Sequence, residues 1–315
     1  MKKILANDGI DAKGKQLLEA AGYEVITEKV DQASLADAIN NHGYVALTVR
    51  SATQVRAALI DVCPNLKVIG RGGVGMDNID VDYAKSKGIA VINTPAASSH
   101  SVAELVFAHL FTGVRFLHDA NRRMPAEGDT AFAALKKNYG GGIELRGKTI
   151  GIIGFGRIGQ AVASIALGLG MKVIAHDPFL SNAEVVINIE GAAPVKVNVV
   201  TVPMAEVLKA ADFLTLHVPG GQMIGAAELA SMKKGAFVVN AARGGVVNED
   251  DLLAALNSGH IAFAGLDVFN NEPTPRKDIL THPKISLTPH IGAATDEAQE
   301  RIGVELAERI IAALA

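Results

Sequence analysis

The sequence predicts an α/β protein made of two doubly wound parallel-sheet domains, and three observations carry that expectation. Short apolar runs alternate with helical segments along most of the chain, the pattern of parallel strands joined by helical crossovers. Near the middle, the apolar run TIGII leads into Gly154-Phe155-Gly156-Arg157-Ile158-Gly159, and a second apolar run, KVIAHD, ends at Asp177, 18 residues after Gly159. At 315 residues the chain is also too long for one small core, and a single nucleotide-binding unit does not account for it.

The elements follow in order. The runs KKILA, EVIT, VALTV, LKVIG and IAVINT read as strands, with KGKQLLEAAG and QVRAALIDV as helices between them, so a first sheet is complete by about Asn93. The segment SSHSVAELVFAHLFTGVRFLHDANRRM reads as one long helix, opened by serine caps with Glu104 in its first turns. The central βαβ unit comes next. Glu184 to Val202 holds two β-favouring runs around Gly191-Ala192-Ala193-Pro194 and predicts a projecting hairpin. Four further strand candidates follow, AADFLTLHV, AFVVNAA, IAFAGLDV and KISLTPH. The last segment, AATDEAQERIGVELAERIIAALA, has helical periodicity and no strand after it, so it is expected to pack back on the first domain. The expected division is residues 1–97 with 291–315 as one discontinuous domain, and 98–290 as the other.

Bulk properties narrow the function classes. Hydrophobic residues are 49% and charged residues 20% of the chain, ordinary for a compact enzyme and wrong for a disordered one. A net charge of -3 offers no electrostatic case for nucleic acid or an anionic membrane. The N-terminus lacks the apolar region of a secretory signal, and no 18-residue apolar run occurs. Cys63 is the single cysteine and cannot form an internal disulfide, which agrees with a reducing, cytoplasmic setting. No pair of histidines has metal-ligand spacing.

The glycine spacing gives each glycine a task. Gly154 permits the tight turn out of the strand, Gly156 lets the backbone approach a pyrophosphate, and Gly159 packs helix against sheet. Asp177 at the end of the second strand can accept hydrogen bonds from an adenosine ribose. It would repel a 2′-phosphate by roughly 4 kcal/mol per unit charge at about 4 Å and intermediate dielectric, so NAD is favoured over NADP. Three other loops each follow a predicted strand and carry chemistry: NAARGG with Arg243, LDVFNNEP with Glu272 and LTPHIGAAT with His290.

Together with VRSAT, GRGGVGMDNID, NTP, SVAEL, GIIGFGRIG and LHVP, these segments closely resemble the NAD-dependent D-2-hydroxyacid dehydrogenase family, and within it the D-3-phosphoglycerate dehydrogenases, over almost the whole length. The resemblance implies two Rossmann-like domains with an active-site cleft between them, and oxidation of D-3-phosphoglycerate to 3-phosphohydroxypyruvate, the entry step to serine. It assigns His290 as acid-base, Glu272 as its carboxylate partner and Arg243 as the substrate-binding arginine. It implies NAD contacts at Val74, Val102, Gly154, Gly156, Arg157, Ile158, Gly159, Asp177, His217, Val218, Pro219, Ala241, Ala242, Arg243, Asp267, His290 and Gly292. Substrate contacts are implied at the Gly73 and Val74 backbone for the carboxylate, with Arg243 and His290, and at Arg50, Ser51 and Arg71 for the phosphate end. The loop Gly220-Gly221-Gln222 is shorter than usual for the family. Reduction of hydroxypyruvate, glyoxylate or another small 2-keto acid is the alternative within enzymes; a corepressor-type NAD-sensing protein is the alternative outside them. The resemblance also implies a homodimer, and because the sequence ends at Ala315, soon after the last helix, the serine-binding regulatory domain of longer relatives is not expected here.

Overall fold

The computed structural model describes all 315 residues. The chain divides into two units, residues 1–99 with 293–315, and residues 100–292.

The first unit contains β1 (Lys2–Ala6), α1 (Ala12–Ala20), β2 (Tyr23–Ile26), α2 (Leu35–His42), β3 (Tyr44–Val49), α3 (Ala57–Asp61), β4 (Val68–Arg71), α4 (Val81–Ser86) and β5 (Ala90–Asn93). Its five strands are parallel in the order β2-β1-β3-β4-β5, so the order reverses between β1 and β3. Because side chains alternate across a strand, Leu5, Leu47 and Val49 face one core, with Leu35, Ile39, Leu59 and Ile60, while Ile4, Ala6 and Ala46 face the other.

The second unit holds α5 (Ser99–Val114), whose first residue lies at the unit boundary, α6 (Leu117–Glu127), α7 (Phe132–Asn138), β6 (Thr149–Ile153), α8 (Arg157–Gly168), β7 (Lys172–His176), β8 (Asn182–Ile187), β9 (Val195–Val200), α9 (Met204–Ala210), β10 (Phe213–Leu216), α10 (Ala226–Ser231), β11 (Ala236–Asn240), α11 (Glu249–Ser258), β12 (Ile261–Leu266), α12 (Lys277–Leu280) and β13 (Ile285–Leu287). The six-stranded parallel sheet runs β7-β6-β10-β11-β12-β13, and a single parallel bridge from Thr201 to Ala175 adds a rudimentary strand beyond β7. The doubly wound parallel architecture expected from the sequence is therefore present in both sheets. β8 and β9 form an antiparallel hairpin, which buries Val185 and Val199 in the core that α8 helps to build.

The segment expected as one long helix is two. The buried stripe Ala103, Val106, Phe107, Leu110 and Val114 on α5 packs on Ile150, Ile152, Phe213, Phe237 and Phe263, but α6 buries no residue. Phe116 turns the chain in the left-handed region (φ 57), and the Val114 carbonyl accepts from the Ile143 amide at 3.0 Å instead of continuing the helix. Ser101, in the first turn of α5, donates from Oγ to the Gly292 carbonyl at 2.6 Å.

The last helix, α13 (Asp296–Leu314), belongs to the first unit. Thr295 caps it by accepting from the Ala298 amide at 3.2 Å, and Asp296 and Glu297 sit in its first turn, where the helix dipole favours acids. Leu306, Ala307, Ile310 and Leu314 complete the core beneath β1 and β4. α13 and α1 meet at glycines: a Cβ on Gly14 would overlap the backbone of Gly303. Gly14→Ala should therefore destabilise the protein by about 1–3 kcal/mol through overpacking. Gly168→Ala, whose Cβ meets nothing within 4 Å, should be neutral or stabilise by up to about 1 kcal/mol. Urea unfolding of the two variants measures both.

Candidate active site

In the second unit every strand of the sheet ends at a candidate residue. Gly154 follows β6, Asp177 follows β7, His217 follows β10, Ala241 follows β11, Asp267 follows β12, and His290 lies three residues beyond β13. Parallel strands put all these ends on one edge, and the order reverses between β6 and β10, where open α/β sheets bind ligands.

The glycine turn fits a dinucleotide. Gly154 has φ +89, and a Cβ there would overlap the carbonyl of His217. A Cβ on Gly159 would overlap the carbonyl of Gly154, so that residue sets the approach of α8 to the sheet. At Gly156 a Cβ meets nothing within 4 Å, so a side chain there would occupy the space that the bare backbone leaves open. Gly156 is also the N-cap of α8 and has no side chain to satisfy the first amides, which leaves Arg157 and Ile158 at a donor-rich helix start suited to a pyrophosphate. The Asp177 carboxylate accepts from the amides of Phe155 (2.8 Å), Phe179 (2.8 Å) and Leu180 (3.2 Å), so it stiffens the glycine turn as well as lying where a ribose belongs.

Across the switch point, His217 Nε2 lies 3.0 Å from Thr215 Oγ1, and its Nδ1 is buried without a protein partner. Burial pushes its pKa down to about 3, so this histidine is neutral at physiological pH and cannot supply cationic charge to a pyrophosphate. Val218 borders the glycine turn from the same strand end, with Pro219 beside it.

The expected partners His290 and Glu272 are in contact. His290 Nδ1 lies 2.8 Å from Glu272 Oε2, and Glu272 Oε1 accepts from the Phe269 amide at 2.9 Å. An ionised carboxylate only accepts, so Nδ1 carries the proton and Nε2 presents a lone pair. The imidazole side chain is 43% exposed, open to a substrate. Both loops are strained: His290 has φ 55 and Asn271 has φ 58, conformations that cost a non-glycine residue about 1–3 kcal/mol. Asp267, 1% exposed, offsets that cost for His290. Its carbonyl accepts from the His290 amide (2.8 Å), and its carboxylate accepts from the Ile291 amide (2.8 Å), the Gly292 amide (2.8 Å) and the Thr288 hydroxyl (2.7 Å). A Cβ on Gly292 would touch Val102 and Asp267, so these three residues meet beside the His290 loop.

The Arg243 loop is braced from both sides. Asn240 donates to the Arg243 carbonyl (2.9 Å) and accepts from the Ala242 amide (3.1 Å), while Arg243 Nη1 donates to the Ala242 carbonyl (2.6 Å). Gly244 lies so close to the Phe269 carbonyl that any side chain there would collide with the loop bearing Glu272.

In the first unit, Arg50 and Ser51 line a cavity of about 400 Å³ together with Asp8, Thr27 and Lys29. Asp8 orders this loop, accepting from the Arg50 amide (2.7 Å), the Thr53 amide (3.1 Å) and the Thr53 hydroxyl (2.7 Å). Asn78 adds bonds to the carbonyls of Arg50 (2.8 Å) and Thr53 (2.6 Å). Lys29, 3.8 Å from Asp8, was not anticipated from the sequence; its one signal is its place three residues after β2. Two expectations change. Arg71 does not line this cavity: its Nη1 donates to the Gly72 carbonyl at 2.9 Å and lies over Gly73. The Gly73 amide is not a free cradle donor either, because it donates to the Arg71 carbonyl at 3.0 Å.

Residues 107–292 match the family model described as the NAD-binding domain of D-isomer specific 2-hydroxyacid dehydrogenases. The chain belongs to that family. It is similar to a hydroxypyruvate reductase of Thermotoga maritima, 42% identical over 98% of this chain and 97% of the relative. It is also similar to a D-3-phosphoglycerate dehydrogenase of Methanocaldococcus jannaschii, 41% identical over 98% of this chain but only 57% of that longer relative. A Thermus thermophilus protein of known crystal structure superposes with a TM-score of 0.84 at 30% identity, covering 99% of this chain and 96% of that one. The protein is thus an NAD-dependent oxidoreductase whose family acts on small 2-hydroxy acids. The open space at Gly156 makes a direct check possible. Gly156→Val should leave the melting temperature essentially unchanged, yet weaken NADH binding at least about tenfold in a fluorescence titration, a loss of about 1.4 kcal/mol.

Proposed function

We propose that this dehydrogenase oxidises D-3-phosphoglycerate to 3-phosphohydroxypyruvate, and that Arg50, Ser51 and Lys29 receive the phosphate end. The observation that carries the reading is the cavity in the first unit, lined by Arg50, by Lys29 in its ion pair with Asp8, and by a loop that Asp8 and Asn78 hold rigid. A phosphate would give the Arg50 guanidinium a partner of matching geometry and charge. Reduction of hydroxypyruvate is the second reading, favoured by the Thermotoga maritima relative that matches along its full length.

In either reading the chemistry of the second unit is the same. NAD supplies the hydride acceptor. His290 Nε2 takes the hydroxyl proton as the C2 hydrogen leaves with its electron pair, and the C2–O bond becomes a carbonyl. Glu272, on the other ring nitrogen, stabilises the imidazolium that results and keeps the tautomer correct. Arg243 offers a planar fork to the substrate carboxylate. In the reverse direction His290 returns the proton.

The exposed apolar residues Phe111, Leu117, Met124, Phe132 and Ile143, on and around α5 to α7, are ones that assembly into a homodimer would cover. A cytoplasmic setting suits the single, buried Cys63, whose thiol pKa burial pushes up, away from reactivity.

One experiment tests both levels. A panel of phosphorylated and unphosphorylated 2-hydroxy acids is assayed by NADH absorbance with wild type, Lys29→Met, Arg50→Met and His290→Ala. The reading expects D-3-phosphoglycerate to be preferred, and each cavity variant to lose roughly 10- to 100-fold in kcat/KM for phosphorylated substrates alone. His290→Ala should lose roughly 10²- to 10⁴-fold on every substrate while binding NADH normally. Cavity variants that leave the preference untouched, with hydroxypyruvate the better substrate, select the second reading.

A further inference from the structure

One buried histidine has no place in the chemistry above. His109 lies on α5, 2% exposed, with its ring against β12 and β13. Gly265 makes room for it: a Cβ there would come within 2.6 Å of the His109 Cβ and 2.8 Å of its Cγ. His109 Nδ1 is 2.9 Å from Ser286 Oγ, and Nε2 is 3.1 Å from Thr288 Oγ1. Thr288 Oγ1 is in turn 2.7 Å from Asp267 Oδ1.

The direction of every proton in this chain follows from one end. An Asp267 carboxylate can only accept, so the Thr288 hydroxyl donates to it and must accept from His109 Nε2–H. Nδ1 is then bare and accepts from the Ser286 hydroxyl. Burial holds the pKa of His109 below its ordinary value, against the opposing pull of Asp267, so the imidazole is neutral and one tautomer satisfies every group. The far end is the residue that fixes the catalytic loop: Asp267 receives the amides of His290, Ile291 and Gly292.

We propose that His109 is a positioning residue for the reaction: through Thr288 it locks the orientation of the Asp267 carboxylate and thereby the strained backbone that aims His290. It acts without touching substrate, and the proposal rests on the reading of His290 as the acid-base. Losing the Nε2–H donor frees the Thr288 hydroxyl to rotate, and the carboxylate then loses one of the bonds that define its plane.

The test uses whichever hydroxyacid the wild type turns over best, so substrate identity is not at stake. His109→Leu should lower kcat by about tenfold, the rate equivalent of about one hydrogen bond, with KM for the acid and the Kd for NADH both within twofold of wild type. His109→Gln, which can restore a donor near the Nε2 position, should recover kcat to within about threefold of wild type. Thr288→Val should match His109→Leu, and the double variant should be no slower than either single one, since the two residues act as one chain. An unchanged kcat in His109→Leu, multiplicative losses in the double variant, or no recovery with glutamine each overturns the proposal. If His109→Leu does not fold, Thr288→Val against Thr288→Ser decides: only the serine variant should keep full kcat, and equal rates overturn the proposal. A His290→Ala variant that still turns over would instead remove the acid-base reading, whatever the His109 variants do.

Discussion

The hydrogen bond of 2.8 Å between Glu272 Oε2 and His290 Nδ1 decides which nitrogen of the imidazole is left for chemistry. With the proton fixed on Nδ1, Nε2 is left to act as a base when the ring is neutral and as an acid when it is charged, the two roles proposed for it in a hydride exchange. Neither loop holds this geometry by its own backbone preference. His290 and Asn271 both sit at positive φ, and the surroundings maintain them: Asp267 ties down the histidine loop, and the close approach of Gly244 wedges the Glu272 loop. Buried polar groups thus organise the loops, and the reactive pair itself stays open to substrate.

The two units solve the same positioning problem with one geometric rule. In a parallel sheet all carboxyl ends share an edge, so residues far apart in sequence become neighbours simply by following a strand. In the first unit Asn7, Thr27 and Arg50 each follow a strand directly, and the second unit repeats the rule at Gly154, Asp177, His217, Ala241 and Asp267. The loops are then stiffened by carboxylates that accept several amides at once. Asp8 does this for the Arg50 loop, Asp177 for the glycine turn and Asp267 for the histidine loop.

Much of this was readable before any coordinates, because it depends on local spacing. The tasks of Gly154, Gly156 and Gly159 follow from their separation, and their surroundings differ accordingly: a close carbonyl, open space and a helix contact. That the main sheets of both units are parallel followed from alternation; their strand order did not. What escaped the sequence depends on groups brought together from afar. The break at Phe116 has no local signal, since phenylalanine seldom adopts a left-handed conformation; it arises where the buried stripe of α5 ends and Ile143 takes the Val114 carbonyl. Lys29 reaches the Arg50 loop only through the pairing of β2, β1 and β3. His109 has no local signal within its apolar helix; its partners, Ser286 on β13 and Thr288 just after it, are far away in sequence.

The most direct test of the central claim is the tautomer of His290, read from the ¹⁵N chemical shifts of its ring nitrogens above the pH at which it titrates. The geometry predicts a protonated, pyrrole-like Nδ1 and a bare, pyridine-like Nε2, with that pattern lost in Glu272→Ala. A ring that carries its proton on Nε2 in the wild-type protein would contradict the account, because the nitrogen left for substrate would then have no lone pair to offer.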